Sequence, residues 1–288
     1  MRFFDLLAYL PEATTQAADT TITAPVTDEV QAVQPGGIFV ARKGARFDGH
    51  SLIPQAVERG AAAIVGETSP AVVNCPIPYA AVPDARAAIA PLAAAFHDFP
   101  SHKLVIIGVT GTDGKTTTVS LLHNILTSAG IRAGMISTVQ AILGQDAADT
   151  GLHITTPRAA EVQGYLAQMV DAGLTHCVLE TTSHGLAQGR VDGVAFDVAV
   201  ITNIGMDHTE FAGPTLEHIA REKSGIITPR SATVVGEERP ELVEIFAEWG
   251  AAPMHETPTD GQGVSLDGGG LPSVQNDGGT VIFSWKAN

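Results

Sequence analysis

The stretch LVIIGVTGTDGKTTT, residues 104–118, decides the fold of this chain. LVIIGVT is a largely apolar run that predicts a buried strand, and the residues after it predict a helix over 115–129. Glycines at 111 and 114 allow tight turns between the two. Backbone N–H groups at a helix N-terminus favour anionic oxygens. The stretch therefore predicts a phosphate-binding loop between a strand and a helix.

Two side chains of this loop carry the chemistry that a nucleotide needs. We expect Lys115 to contact the β- and γ-phosphates of ATP and Thr116 to ligate magnesium. The pattern departs from the strict GxxxxGK[ST] motif, which needs glycine where Val109 stands. A Gly-rich turn that binds no ligand is the alternative, but the strand, the Lys-Thr-Thr run and the helix together favour a nucleotide site. The residues that we expect to bind nucleotide are Gly111, Thr112, Asp113, Gly114, Lys115, Thr116 and Thr117.

Outward from this loop, apolar strands alternate with helical patterns, which predicts an α/β protein. Strand-like RAGMISTV, THCVLET and FDVAVITN alternate with helices predicted over 157–172 and 215–227. This order predicts a P-loop NTPase-like, mostly parallel sheet with helices on both faces. Upstream, GIFVA, SLIPQAVERGA and AAIVGE predict a small N-terminal α/β domain. We expect Asp84 to cap a helix that Pro100 ends, and domains over residues 1–100 and 101–288.

Composition bounds the partners of this chain. Apolar residues make up 44% and charged residues 16%, and the net charge is -15. The electrostatic field of this negative charge repels the polyphosphate backbones of nucleic acids, so we expect small-molecule partners and no nucleic acid. No stretch reaches the roughly 20 apolar residues that cross a bilayer, so we expect no membrane partner. Cys75 and Cys177 lack metal or redox spacing, which favours a reduced cytoplasmic compartment.

Polar residues at later strand ends are candidate metal and substrate groups. Glu180 ends one strand, and Asp207 with His208 follows the next, so a carboxylate and an imidazole can meet above the sheet edge. Hard oxygen ligands suit magnesium. Each of these residues could equally be a loop hydrogen bonder. Judged by their chemistry alone, Lys223 on its helix would be a solvated charge. Thr155 and Thr156 would cap a helix, and Gln188 and Arg190 would be surface residues.

Several segments together resemble the Mur ligase superfamily, the ATP-dependent amide-forming enzymes of peptidoglycan synthesis and folate polyglutamylation. TGTDGKTTT (110–118), TTP (155–157), ETTSHGLAQGRVDGVAFDVAVITN (180–203) and DH (207–208) are similar to its central ATPase domain. PGGIFVARKGARFDGHSLIPQAVERGAAAIV (35–65) resembles the N-terminal domain of the MurE type, which adds the third residue to UDP-N-acetylmuramoyl-L-Ala-D-Glu. The resemblance implies an acid–amino-acid ligase that works through an acyl phosphate. We expect the chain to be a monomer.

By position, the resemblance also implies roles for single residues. Glu180 and His208 would be magnesium ligands. Lys223 matches the lysine that family members carbamylate with carbon dioxide, and the carbamate would ligate a second magnesium ion. The implied catalytic residues are Lys115, Lys223 and His208. The residues implied to hold the muramoyl-peptide are Thr155, Thr156, Thr182, Gln188 and Arg190.

The chain departs from the family pattern at three places. Glu29, Val30 and Gln31 stand where members usually show Asp-Ser-Arg, which removes donors for a uridine nucleotide. Asp113 stands where the loop usually carries Asn. GPTLEHIAREKSGIITP (213–229) reads like the matching helix of folylpolyglutamate synthases. A folylpolyglutamate synthase-like ligase and a non-catalytic ATP-binding partner subunit are therefore alternatives to the muramoyl-peptide ligase.

The last segment of the chain does not resemble the corresponding part of Mur ligases. Nothing after Trp249 resembles the C-terminal domain that receives the incoming amino acid in Mur ligases. We expect the chain to stop inside its central domain, as a fragment of a longer ligase or as a shortened relative. The identity of the added amino acid is accordingly left open.

Overall fold

The computed structural model describes residues 1–15, 18–44, 47–69, 71, 75–144, 147–148, 156–206, 214–228, 230–250, 273–277 and 280–284. Contacts divide the chain into two compact units. The first comprises residues 1–103, 157–170 and 188–194, and the second comprises residues 104–156, 171–187 and 195–288. The sequence alone assigns 157–170 and 188–194 to the second domain, whereas Ala159 belongs to the apolar core of the first unit. The functional division at residue 100 stays a prediction.

The first unit is built on a small, mostly parallel sheet. Its strands are β1 (Thr14–Thr15), β2 (Val26–Thr27), β3 (Ile38–Ala41), β4 (Ala63–Gly66) and β5 (Tyr79–Ala81). Its N-terminal part holds the helices α1 (Phe3–Leu7), α2 (Ile53–Glu58) and α3 (Ala85–Phe96). The strand order is β1-β5-β4-β3-β2, in which β2 to β5 run parallel and β1 is antiparallel to β5. β3 and β4 are buried along their whole length, as strands covered on both faces should be.

The ends of α3 show where local signals succeed and fail. As predicted, the Asp84 carboxylate caps the helix by accepting from the N–H groups of Arg86 (2.8 Å) and Ala87 (3.0 Å). The helix ends at Phe96 rather than at Pro100, because Asp98 and the following residue adopt positive φ angles. A second proline, Pro91, lies inside α3, where it lacks one backbone donor.

The second unit contains the larger sheet. Its strands are β6 (Val105–Thr110), β7 (Ala133–Ile136), β8 (Ala141–Ile142), β9 (Ala147–Ala148), β10 (His176–Glu180), β11 (Val198–Ile201), β12 (Ala232–Val235), β13 (Ser273–Asp277) and β14 (Thr280–Ser284). The helices of residues 104–250 are α4 (Lys115–Ser128), α5 (Ala159–Asp171), α6 (Ser183–Ala187), α7 (Leu216–Lys223) and α8 (Pro240–Gly250). The order is β12-β11-β6-β10-β7-β8-β9, with β12 to β7 parallel. β13 and β14 form a separate antiparallel hairpin.

This architecture confirms the predicted α/β fold class. The predicted helices are present, although α5 starts at Ala159 rather than at 157, and α7 passes at Ser224 into a 3-10 turn. Within the described ranges, no helix is both long and apolar enough to cross a membrane.

Strand register determines where the functional groups lie. β6 is central, with β10 and β11 on either side. Val109 is opposite Glu180, and Thr110 is opposite Ile201, so the carboxyl ends of the three strands coincide. Ligands of parallel sheets bind at such an edge, beside a crossover in strand order.

Candidate functional site

The phosphate loop, residues 110–114, leaves β6 and turns directly into α4. Gly111 has a φ of +146°, and a Cβ there would lie 1.9 Å from Thr202 Oγ1, so no larger residue fits. Gly114 is the N-cap of α4 in the left-handed region, with a φ of +79°. Because Gly114 has no side chain to cap the helix, the first N–H groups of α4 remain for an anion.

The Lys115 side chain folds back over the loop. Its Nζ donates to the carbonyl oxygens of Gly111 (3.0 Å) and Thr112 (2.7 Å). Both partners are neutral carbonyls, so Lys115 could exchange them for the oxygens of a phosphate bound at the start of α4.

Glu180 is a buried carboxylate beside this helix. Its side chain accepts from Thr116 Oγ1 at 2.9 and 3.0 Å, and from the Thr138 N–H at 3.2 Å. The residue is only 1% exposed. Burial raises the pKa of Glu180, and the hydrogen bonds from Thr138 and Thr116 and the charge of Lys115 oppose this only in part. A cation at this carboxylate would satisfy the charge that burial disfavours.

Lys223, at the end of α7, is buried rather than solvated. It is 4% exposed, and its Nζ donates to Ser183 Oγ (2.7 Å) and to the Gly111 carbonyl (3.1 Å). The same Gly111 oxygen accepts from Lys115. Two ammonium groups thus converge on one backbone oxygen of the phosphate loop.

Thr156 and Thr182 form a buried hydroxyl pair. Their Oγ1 atoms are 3.1 Å apart, and the Thr182 N–H donates to Thr156 Oγ1 at 3.3 Å. The Gly185 N–H donates in turn to Thr182 Oγ1 at 3.1 Å. The hydroxyls hold the start of α6 in place and share the strand-end region of Glu180.

Gln188 and Arg190 belong to the first compact unit. Gln188 Oε1 accepts from Arg190 Nε (3.0 Å) and Nη2 (2.7 Å). Burial lowers the pKa of the Arg190 guanidinium, and the nearby guanidinium groups of Arg158 and Arg42 lower it further. Asp28, whose side chain is 8% exposed, pairs with Arg42 at 2.8 Å and with Arg158 at 3.2 Å.

The predicted nucleotide and metal residues of the second unit meet around a cavity of about 520 Å³. Its lining residues are Gly111, Thr112, Asp113, Gly114, Lys115, Thr116, Thr117, Thr138, Glu180, Thr182, Ser183, His184 and Lys223. Thr155, Asp207 and His208 lie outside the described residues.

Sequence reasoning missed two residues, Thr202 and Asn203, whose hydrogen bonds support the phosphate loop. Asn203 Oδ1 accepts from the Asp113 N–H at 3.0 Å, and its carbonyl accepts from the Thr112 N–H at 3.0 Å. Thr202 Oγ1 donates to the Asp113 carbonyl at 2.6 Å. The signal available was their position, since both follow β11 at the strand-end edge that carries Glu180. Ser183, which binds Lys223, lay in a quoted motif but was not singled out.

Comparison with known families assigns both parts of the chain. Residues 109–257 match the Mur ligase middle domain, and residues 30–97 match the Mur ligase family, catalytic domain. A UDP-N-acetylmuramyl-tripeptide synthetase of Deinococcus radiodurans is 44% identical over 249 residues, which cover 83% of this chain and 49% of the relative.

Two solved structures agree with these matches. The structure of a UDP-N-acetylmuramoyl-L-alanyl-D-glutamate--2,6-diaminopimelate ligase aligns with a TM-score of 0.61 and 26% identity, covering 78% of this chain and 45% of that one. MurF ligase from Thermotoga maritima in complex with ADP aligns with a TM-score of 0.51 and 26% identity, covering 79% and 49%. The chain spans about half the length of these relatives.

Proposed function

The chain belongs to the Mur ligase family, and from that premise we propose that it carries the nucleotide-binding part of an ATP-dependent ligase. This ligase joins an amino acid to a carboxylate of a UDP-N-acetylmuramoyl peptide. The carboxylate oxygen attacks the γ-phosphorus of ATP, and ADP leaves. The amine then displaces inorganic phosphate from the acyl phosphate, which gives the amide. The names of the relatives, which are muramoyl-peptide ligases, support this acceptor class.

One observation carries the proposal: two lysines and a Thr–Glu pair line one cavity at the start of α4. Phosphoryl transfer depends mainly on positioning and on offsetting the charge of the transferring oxygens. Lys115 and the α4 N-terminus supply fixed positive charge beside the cavity. For phosphate to bind, the Lys115 ammonium would exchange the Gly111 and Thr112 carbonyls for phosphate oxygens.

The residues present also fit magnesium. Thr116 Oγ1 and the Glu180 carboxylate are hard oxygen donors within 3.0 Å of each other. No group of three or more His, Cys, Asp or Glu side chains in the described part of the chain could hold a metal alone. This suits magnesium, which usually keeps water and binds phosphate oxygens together with one or two carboxylates. When bound, the ion would neutralise phosphate charge, and Thr116 and Glu180 would hold it.

We propose that Lys223 is carbamylated in the active ligase. A carbamate keeps one N–H donor at Nζ and adds two acceptor oxygens, so Nζ could still donate to the Gly111 carbonyl while the Ser183 hydroxyl donates to a carbamate oxygen. We expect Lys223→Ala to lose ligase activity in the complete ligase and to regain part of it with short carboxylates such as acetate, whereas Lys223→Arg is not rescued. A fully active Lys223→Ala would exclude the assignment.

The acceptor residues are likewise proposals. Thr156 and Thr182 would bind the muramoyl-peptide through their paired hydroxyls. Gln188 and Arg190 would bind the anionic groups of the muramoyl-peptide. Thr155 and His208 keep the roles that the family resemblance implies, as acceptor ligand and magnesium ligand.

Titration calorimetry with Mg-ADP tests the nucleotide site directly. We expect saturable binding by the chain and its loss in Lys115→Ala. A phosphate-release assay on the complete ligase then compares the UDP-N-acetylmuramoyl dipeptide with a reduced folate. Turnover with the folate alone would replace the proposed acceptor by that of a folylpolyglutamate synthase. Binding without turnover on any acceptor would favour a partner subunit.

A further inference from the structure

Behind the phosphate loop, the second unit holds an ion pair that the proposed reaction does not use. Glu237 and Arg239 lie between β12 and α8, and the Glu237 side chain is only 6% exposed. Its carboxylate accepts from Arg239 Nε (2.8 Å) and Nη2 (2.7 Å) and from the Ile204 N–H (2.9 Å). The N–H groups of Glu238 and Arg239 complete the set at 3.1 Å.

The pair binds both backbone polar groups of one residue, Ile204. The Glu237 carboxylate accepts from the N–H of Ile204, and Arg239 Nη2 donates to the carbonyl of Ile204. The backbone at Gly236 packs closely against that of Thr202: a Cβ on Gly236 would lie 2.4 Å from the Thr202 carbonyl. The Gly236 N–H donates to the Ile201 carbonyl at 2.8 Å. Residues 236–239 are therefore fastened to the segment that follows β11.

That segment in turn holds the phosphate loop. The Gly205 N–H donates to Thr112 Oγ1 at 2.8 Å, and Thr112 Oγ1 donates to the Gly205 carbonyl at 3.2 Å. Asn203, on the other side of Ile204, accepts from the N–H groups of Thr112 and Asp113 at 3.0 Å each. Every residue from 203 to 205 is thus bonded to the loop or to the ion pair.

We propose that Glu237 and Arg239 are positioning residues that fix residues 203–205 and, through them, the geometry of the phosphate loop. This rests on the proposed nucleotide-binding function. An exposed ion pair would have little effect on its surroundings. Here the Glu237 side chain is buried, although that of Arg239 is 38% exposed. Removing the Glu237 carboxylate leaves backbone donors and a guanidinium without their partner, so the backbone at Ile204 would shift. The loop geometry would shift with it.

The test compares two disrupting variants with a matched control. Glu237→Gln and the milder Arg239→Lys alter the pair. Asp197→Asn removes a carboxylate that accepts from the Ile106 N–H at 2.8 Å, at the opposite edge of the same sheet. The readouts are the dissociation constant of Mg-ADP, measured below the melting temperature of each variant, and the amide resonances of Thr112, Asp113 and Gly205 in nucleotide-free protein.

We expect Glu237→Gln to weaken Mg-ADP binding about tenfold, and Arg239→Lys less. Both should shift the three amide resonances, and Asp197→Asn should change neither readout. Unshifted resonances together with wild-type affinity in both variants would overturn the proposal. If Glu237→Gln does not fold, Arg239→Lys decides by the same criteria. If the wild-type chain binds no Mg-ADP, the nucleotide function fails, whereas the resonances still decide whether the pair positions the loop.

Discussion

The two sheets place polar residues at the same kind of edge and use them in opposite ways. In the first unit, the Glu67 carboxylate follows β4 and accepts from the N–H groups of Lys43 and Ala85, each at 3.1 Å. His50 Nε2 accepts from the N–H groups of Glu67 (3.0 Å) and Thr68 (3.3 Å). These side chains close loops by satisfying backbone donors.

In the second unit, the corresponding edge is open to a ligand. Lys115 and Lys223 share one carbonyl, and Glu180 is buried with its pKa raised. The comparison teaches that position at a strand end does not define a site. The second edge differs from the first because it brings two lysine side chains and a buried carboxylate with a raised pKa together around one cavity.

The largest expected difference between the edges concerns a single lysine. Lys115→Ala should weaken Mg-ADP binding about 1000-fold, or about 4 kcal/mol, because it removes a half-buried positive charge at the expected position of the phosphates. Lys103→Ala is the control, since Lys103 pairs with Asp98 on the surface of the first unit. Titration calorimetry measures both. Equal affinities in the two variants would mean that the second sheet edge is as closed as the first.

Stability at low pH should depend on the ion pair that the buried Glu237 carboxylate makes with Arg239 in the second unit. The Arg239 guanidinium lowers the pKa of Glu237 from 4.5 to about 2. A depressed carboxyl pKa stabilises the fold above pH 4.5, and the stabilisation disappears as the pH falls from about 4.5 to about 2. Glu237→Gln should therefore lose about 3 kcal/mol of unfolding free energy at pH 7 and much less at pH 2.5. Urea unfolding at several pH values measures this, and a pH-independent loss would contradict it.

Removing the charge of Glu180 should change the stability at pH 7 in the opposite direction to removing that of Glu237. The pKa of Glu180 is raised by burial, so the carboxylate form is disfavoured in the folded state and costs stability above that pKa. Glu180→Gln should raise the melting temperature at pH 7, and the gain should shrink as the pH falls. Mg-ADP binding should weaken about tenfold, with ADP binding in EDTA unchanged. A destabilised variant that keeps its magnesium response would show that this edge is structural, like the first.

The smallest effect on Mg-ADP binding should come from the closed edge. His50→Ala removes an acceptor of two backbone donors and the 2.6 Å contact of Nδ1 with Asp48, and should cost about 2 kcal/mol of unfolding free energy. The affinity for Mg-ADP should not change. Denaturant unfolding and calorimetry on the same sample check the two expectations. A weaker nucleotide site in this variant would break the distinction between the edges.

Much of the fold could be predicted because its signals are local. Strand and helix periodicity and the cap at Asp84 depend on neighbouring residues, and so does the loop that joins β6 to α4. The helix predicted after Asp84 includes Pro91, as the structure has it, but its predicted end lies too late in the chain, because the positive φ angles of Asp98 and Phe99 leave no local signal. The assignment of 157–170 to the first unit depends on the burial of Ala159, which no local pattern reveals.

The residues of the candidate site likewise divide into those with a local sequence signal and those without one. Lys115 and Thr116 follow from one contiguous motif, and Glu180 follows from its strand-end position. Lys223 needed the family resemblance, because a lysine on a polar helix is ordinarily solvated and only the packed structure shows it buried. Asn203 was missed, since its partners are 90 residues away along the chain.

The convergence of Lys115 and Lys223 on the Gly111 oxygen has a consequence for the charge of the site. With both side chains as amines, the donors to this oxygen are two cations. The proposed carbamylation of Lys223 would replace one of them by an anion, so the Lys115 ammonium would then face an opposite charge across a single backbone oxygen. The unmodified chain should therefore attract a polyanion more strongly than the carbamylated one.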